Sequence, residues 1–137
     1  NPQRKVLQPE IEIYSPPYLF NPDGTPAKRP GLTGVPTGTI AYRTQFPIRS
    51  TQAAEIRSVV LVRPGAVTHA FDMDQRLVGL SFTRSATAGV LDVKAPANGN
   101  LAPPGYYLLF VLDARGVPSV GRFVRLAAAV PAAAAKR

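Results

Sequence analysis

YYLLFVL, Tyr106 to Leu112, is the most apolar run in the chain, and the fold can be read outward from it. An uncharged run of this kind predicts a strand at the centre of a sheet. Asp113-Ala-Arg-Gly116 follows with the composition of a hairpin turn. The chain then returns through Ser119 to Leu126, where Val120, Arg122, Val124 and Leu126 alternate with Gly121, Phe123 and Arg125. A period of two means one face on the core and one turned away from it.

Earlier segments show the same pattern. Val90 to Ala95 (VLDVKA) presents Leu91, Val93 and Ala95 as its buried face, and it is expected to pair with Leu77 to Thr83 across the Ser85–Gly89 turn. Ile56 to Val62 is another strand, and the unbroken Val59–Val62 run predicts burial on both faces. Thr39 to Phe46 alternates Ile40, Tyr42 and Thr44 against Ala41, Arg43 and Gln45. Glu10 to Ser15 (EIEIYS) alternates as a half-buried strand and stops at Pro16-Pro17, which cannot donate ladder hydrogen bonds. Between these lies a long polar loop, Tyr18 to Pro36, with turn chemistry at Asn21-Pro22-Asp23-Gly24. Tyr14, Tyr18 and Phe20 imply that this region packs against something. Pro103-Pro104-Gly105 is a turn in which either X-Pro bond is a candidate for cis. The 15 prolines and 11 glycines fall between short apolar runs, and no segment keeps a helical period. The expected fold is all-β: an immunoglobulin-like antiparallel β-sandwich of about seven to eight strands.

Composition narrows the functional classes. A chain of 137 residues is expected to form one domain. With no cysteine there is no disulfide framework, thiolate metal site or cysteine nucleophile. The net charge of +8 permits acidic partners, but the arginines are scattered singly, with no basic cluster and no nucleic-acid-binding motif. Nucleic acid is therefore not an expected partner. No run approaches the roughly 20 apolar residues of a membrane span. The opening NPQRKVLQPE has no apolar signal core, and a start at Asn1 without methionine reads as a processed product or a fragment.

Candidate chemistry concentrates in VVLVRPGAVTHAFDMDQR, Val59 to Arg76, which holds the single histidine, His69. Apolar residues lead into a turn at Pro64-Gly65, followed by His69, Asp72, Asp74 and Arg76. One histidine cannot build a catalytic triad, and it supplies one ligand where stable metal sites usually use three or four. From the residues alone, a hydrogen-bonded loop histidine and a metal ligand both remain open. Asp72 and Asp74 suit backbone hydrogen bonding in a projecting loop, with Asp74 and Arg76 as an expected pair. A glycosidase pair is disfavoured, because two Asp on one short loop rarely reach the required separation of about 5–9 Å across a cleft. Tyr106 and Tyr107 belong to core and interface rather than to a sugar-stacking platform.

Three ordered blocks carry a resemblance. They are IEIYSPPYLF (11–20) with NPDG (21–24) and Arg29-Pro30; Val59 to Arg76, especially Thr68-His69 and Asp74-Gln75-Arg76; and LAPPGYYLLF (101–110) with Gly116-Val-Pro-Ser119. Together they resemble the C-terminal immunoglobulin-like, early-set domain of the copper radical oxidases, the galactose oxidase and glyoxal oxidase family, over about Glu10 to Leu126. The resemblance implies that residues 1–9 are the end of a preceding propeller blade or a linker. Residues 10–126 are then the sandwich, and 127–137 an alanine-rich tail. It implies packing on a kelch-type propeller and a loop that delivers His69 to a mononuclear copper. Thr68, Asp72, Asp74 and Arg76 would support that loop. The full enzyme would oxidise a primary alcohol or an aldehyde and reduce dioxygen to hydrogen peroxide, outside the cell or at its surface. The glyoxal-oxidase-like blocks lean toward small aldehydes. This chain has no second histidine, no cysteine and no tyrosine in a matching ligand motif, so no catalytic residue and no activity are expected of it alone. The alternative is a free-standing immunoglobulin-like module that binds carbohydrate or another protein.

Overall fold

The apolar run becomes the middle of a five-stranded sheet. In the computed structural model, which describes residues 12–127, the strands are β1 Thr39–Ala41, β2 Gln45–Arg49, β3 Ser58–Val62, β4 Val67–Thr68, β5 Phe71–Asp72, β6 Leu77–Leu80, β7 Phe82–Arg84, β8 Val90–Lys94, β9 Gly105–Leu112 and β10 Arg122–Ala127. The larger sheet has the order β1-β10-β9-β3-β6, a three-stranded sheet the order β2-β8-β7, and β4 and β5 pair alone. The described residues contain no α-helix, and the chain forms an all-β immunoglobulin-like sandwich.

Register aligns the inward side chains. Val59 stands opposite Val111 and Leu61 opposite Leu109, while Val124 stands opposite Tyr107. Leu61, Tyr107, Leu109 and Val111 are fully buried. They close on Ile48, Leu91 and Val93 from the smaller sheet, and these too are fully buried. Each such aliphatic side chain contributes roughly 1.5–3 kcal/mol by leaving water. Leu91 and Val93 of β8 are buried as the alternation predicts, with Ala95 buried just beyond the strand; Val90, expected to face away, is buried too, and β8 pairs with β7 across the Ser85–Gly89 turn.

The Asp113–Gly116 turn is held by the Asp113 carboxylate, which accepts from the amides of Arg115 and Val117, both at 2.9 Å. Gly116 supplies the positive φ of 80° that this turn needs. Ser119 is fully buried, and its Oγ accepts from the Val111 amide at 3.1 Å.

Several expectations are corrected. Thr39–Phe46 is not one strand. It breaks at Tyr42–Thr44, where Arg43 has a φ of 63°, and β1 and β2 go to different sheets. Leu77–Thr83 divides in the same way at Ser81. Ile40 and Phe46 pack in the core on either side of the first break, and Leu80 and Phe82 on either side of the second. The inward phase is therefore kept although the sheet changes. The sandwich is not wholly antiparallel, because β1 runs parallel to β10. Val60 and Val62 are only half-buried, since their face of the sheet looks outward. No strand forms over Glu12–Ser15; Ile13 and Tyr14 are 90% and 79% exposed, without a ladder partner among the described residues. Glu10 and Ile11 lie outside the described residues, as do residues 1–9 and 128–137. All peptide bonds among the described residues are trans, including those preceding Pro103 and Pro104.

The two outer faces differ. The smaller sheet turns Gln45, Thr83 and Lys94 outward, all polar and exposed. The larger sheet turns out Val60, Val62, Leu108 and Phe110 in adjoining register, flanked by Leu77, Tyr106 and Phe123. The last three are 70%, 61% and 64% exposed.

Candidate functional site

Beyond Val62 and Leu77, the last paired residues of β3 and β6, the chain continues as a projecting hairpin. Its mouth is closed by the Arg63 amide, which donates to the Arg76 carbonyl at 2.9 Å. Further out, the Met73 amide donates to the Ala66 carbonyl at 3.3 Å. At the tip, Val67 pairs with Asp72 and Thr68 with Phe71, leaving His69 and Ala70 as a two-residue turn. Their φ angles are 51° and 64°, the arrangement of a type I′ turn. Asn-Gly is the usual choice there, because both residues must be left-handed. Histidine tolerates that region better than most residues, whereas alanine does not.

Every residue from Gly65 to Phe71 is exposed, and Val67, Phe71 and Met73 are each at least 70% exposed. The tip therefore presents an apolar surface around one imidazole. Thr68 Oγ lies 2.8 Å from His69 Nδ1. With Nδ1–H donating to that hydroxyl, Nε2 keeps its lone pair for a ligand.

Asp72 holds the hairpin from within. Its carboxylate accepts from the Ala66 amide at 2.9 Å and the Asp74 amide at 3.3 Å. Gly65 makes room for it, since a Cβ at position 65 would stand 2.8 Å from Asp72 Oδ2. Gly65→Ala is expected to push the carboxylate off these amides and loosen the hairpin by about 1 kcal/mol, the net worth of a hydrogen bond. Loss of the Thr68–Phe71 cross-strand NMR contacts, with the core amides unchanged, would report this.

Asp74 does not pair with Arg76. Its Oδ2 lies 3.2 Å from Arg63 Nε, while Arg76 Nη1 donates to the carbonyls of Leu101 at 2.9 Å and Asn100 at 3.3 Å. The hairpin turns the Arg63 and Asp74 side chains toward each other across its two legs. Arg63 also lies over the Tyr107 ring, 5.8 Å from its centroid. Its pKa is raised, chiefly by the adjacent Tyr107 hydroxyl and, against partial desolvation, by Asp74. The Tyr42 hydroxyl next to this cluster is also pushed up, first by burial and then by Tyr107. Sequence reasoning misses Arg63 and Tyr107 as parts of this site. Their one legible signal is that Arg63 and Arg76 flank the projecting segment symmetrically.

No group of three or more His, Asp or Glu side chains among the described residues could hold a metal ion. His69 is thus a single donor. It fits copper as one ligand of a set completed from elsewhere, being an exposed imidazole with one nitrogen engaged by Thr68.

Comparison with known proteins adds independent information. A family model for the galactose oxidase-like, early set domain matches residues 29–126. The chain is 33% identical over 117 residues to a galactose oxidase of Gibberella zeae, covering 85% of this chain and 17% of that protein. It is 35% identical over 127 residues to aldehyde oxidase GLOX1 of Arabidopsis thaliana, covering 85% of this chain and 20% of that protein. The solved structure of a fungal alcohol oxidase of the AA5 family, in complex with copper, superposes with a TM-score of 0.74 at 34% identity, covering 82% of this chain and 23% of that one. The chain spans about a fifth of the length of these relatives.

Proposed function

The chain belongs to the galactose oxidase-like early set domain family, and from that membership we propose that it is the β-sandwich module of a larger copper radical oxidase. In this reading the hairpin carries His69 to one coordination position of a mononuclear copper, and the remaining ligands come from outside the chain. The observation that carries the proposal is the exposed tip: the sole histidine stands at the apex of a projecting hairpin, bonded among the described residues only to its neighbour Thr68. A loop histidine serving its own domain would turn inward to a core or backbone partner.

Copper, together with a redox-active side chain supplied elsewhere, would support oxidation of a primary alcohol or an aldehyde, with dioxygen reduced to hydrogen peroxide. This chain's own residues hold and orient. His69 Nε2 is the donor atom. Thr68 fixes the ring through Nδ1, and Asp72 with Gly65 holds the backbone behind it. Phe71, Val67 and Met73 line the hairpin with apolar surface that excludes water once enclosed. The outer face of the larger sheet, with Leu77, Tyr106 and Phe123, supports packing against the rest of the polypeptide, expected to be a kelch-type propeller. An extracellular or cell-surface setting accompanies this reading. No helix among the described residues is long and apolar enough to cross a membrane.

Mass and metal analysis of the protein as its source makes it tests the proposal. A species heavier than 14.6 kDa that contains this chain, holds one copper and forms peroxide from an alcohol or aldehyde is the expected result. A copper-free 14.6 kDa species would sink it and favour the free-standing binding module.

A further inference from the structure

We propose that Arg63, set against Tyr107 of β9, and Arg76, bonded to the loop between β8 and β9, clamp the base of the hairpin, making Arg63 a positioning residue for His69. This rests on His69 being a copper ligand. Among the described residues the tip has no neighbours beyond the hairpin, so within this chain its direction is set at its base.

Both legs are anchored there. On the outgoing leg, the Arg63 guanidinium carbon stands over Tyr107, 5.8 Å from the ring centroid; that residue is fully buried and its hydroxyl donates to the Pro103 carbonyl at 2.8 Å. The same guanidinium reaches across to Asp74 on the returning leg. On that leg, Arg76 donates to the Leu101 and Asn100 carbonyls.

The loop that receives them is itself fixed. Asn98 Oδ1 accepts from the amides of Asn100 at 3.0 Å and Leu101 at 3.2 Å. The Tyr42 hydroxyl donates to the Ala102 carbonyl at 2.7 Å, and Arg43 Nε to the Ala97 carbonyl at 3.1 Å. Five carbonyls between Ala97 and Pro103 thus accept side-chain donors, and the hairpin is tied to the rigid segment they define.

Arginine suits this position because its planar group stacks on a ring while its fork still reaches a carboxylate. The ion pair is partly exposed, with side chains 23% and 45% accessible, so it adds little to global stability. Its effect falls on direction. A misplacement of about 1 Å at a reacting centre can cost on the order of a hundredfold in rate.

The test uses the full-length protein that contains this chain. In Arg63→Gln, hydrogen exchange at the Met73 amide of the copper-free protein should quicken about tenfold, with Leu61 and Leu109 unchanged. In the copper-loaded protein, the copper(II) EPR spectrum should shift and kcat should fall at least about tenfold, with KM and melting temperature unchanged. Arg63→Lys keeps the charge but not the planar, multi-donor guanidinium, and should recover only part of kcat. Wild-type exchange and EPR in Arg63→Gln would overturn the clamp. A melting temperature that falls in step with activity would reduce Arg63 to a structural role and overturn the proposal as well. His69→Asn separates the two readings: an unchanged EPR spectrum there refutes the ligand assignment, while Met73 exchange in the Arg63 variants still decides the clamp.

Discussion

If His69 is the copper ligand proposed above, His69→Asn in the full-length protein that contains this chain should abolish copper binding at this position while leaving the fold unharmed. The two effects separate because the residue has two separable properties. Its backbone is left-handed, with a φ of 51°, and asparagine is among the residues most at home there. The hairpin should therefore keep its shape or gain slightly. The imidazole, by contrast, is the only one this chain offers. A neutral amide is a poor copper ligand beside imidazole, so affinity is expected to fall at least about a hundredfold, beyond the effect of losing a partner behind a ligand. Peroxide formation should fall with it. Metal content, copper(II) EPR and thermal melting on the same preparation provide the check. Copper at wild-type stoichiometry with normal turnover would show that His69 is not a ligand. Loss of copper together with a collapsed melting transition would show instead that position 69 supports the fold.

Leu109→Ala should be the most destabilising of these changes, by about 3–5 kcal/mol. Leu109 is fully buried at the middle of β9, the central strand of the larger sheet, opposite Leu61 of β3. Neighbours on both flanking strands prevent collapse around the vacated volume, so the cavity cost adds to the lost transfer energy. Against a stability of about 5–15 kcal/mol for an ordinary domain, this removes a large share. Leu77→Ala is the internal comparison. Leu77 is 70% exposed on the outer face, and its replacement should stay within about 0.5 kcal/mol in the isolated chain. Urea unfolding of the two variants tests the ranking. A Leu109→Ala cost below about 1 kcal/mol would contradict the placement of β9.

The candidate site is partly legible in the amino-acid sequence. One histidine in the whole chain marks itself, and Pro64-Gly65 ahead of it implies a projecting segment, although the turn expected at Pro64-Gly65 forms instead at His69-Ala70. The turn that carries it is not legible. His-Ala lacks the Asn-Gly signature, and its two left-handed residues are maintained by strand pairing on either side. Nor does sequence proximity identify the partner of Asp74. Arg76 is two residues away, but it turns to the Asn100 and Leu101 carbonyls, while Arg63 comes across from the opposite leg.

Local pattern accounts for more of the core. The alternation of Leu91, Val93 and Ala95 identifies the inward face of β8, and the uncharged Tyr106–Leu112 run identifies the central strand. Absence of a second histidine and of any cysteine limits the chain to one imidazole donor and no thiolate, however it folds. These properties are local or compositional, and they survive any arrangement of strands. Sheet membership is different. A period of two distinguishes inside from outside, but both layers of a sandwich share one interior. Ile40 and Ile48 therefore look alike in sequence while lying in opposite sheets. The crossings at Tyr42–Thr44 and Ser81, the parallel pairing of β1 with β10, and the arginine anchors on the Ala97–Pro103 segment come from backbone pairings between distant parts of the chain. They arise when those pairings compete for the same hydrogen-bonding edges, a contest resolved in three dimensions.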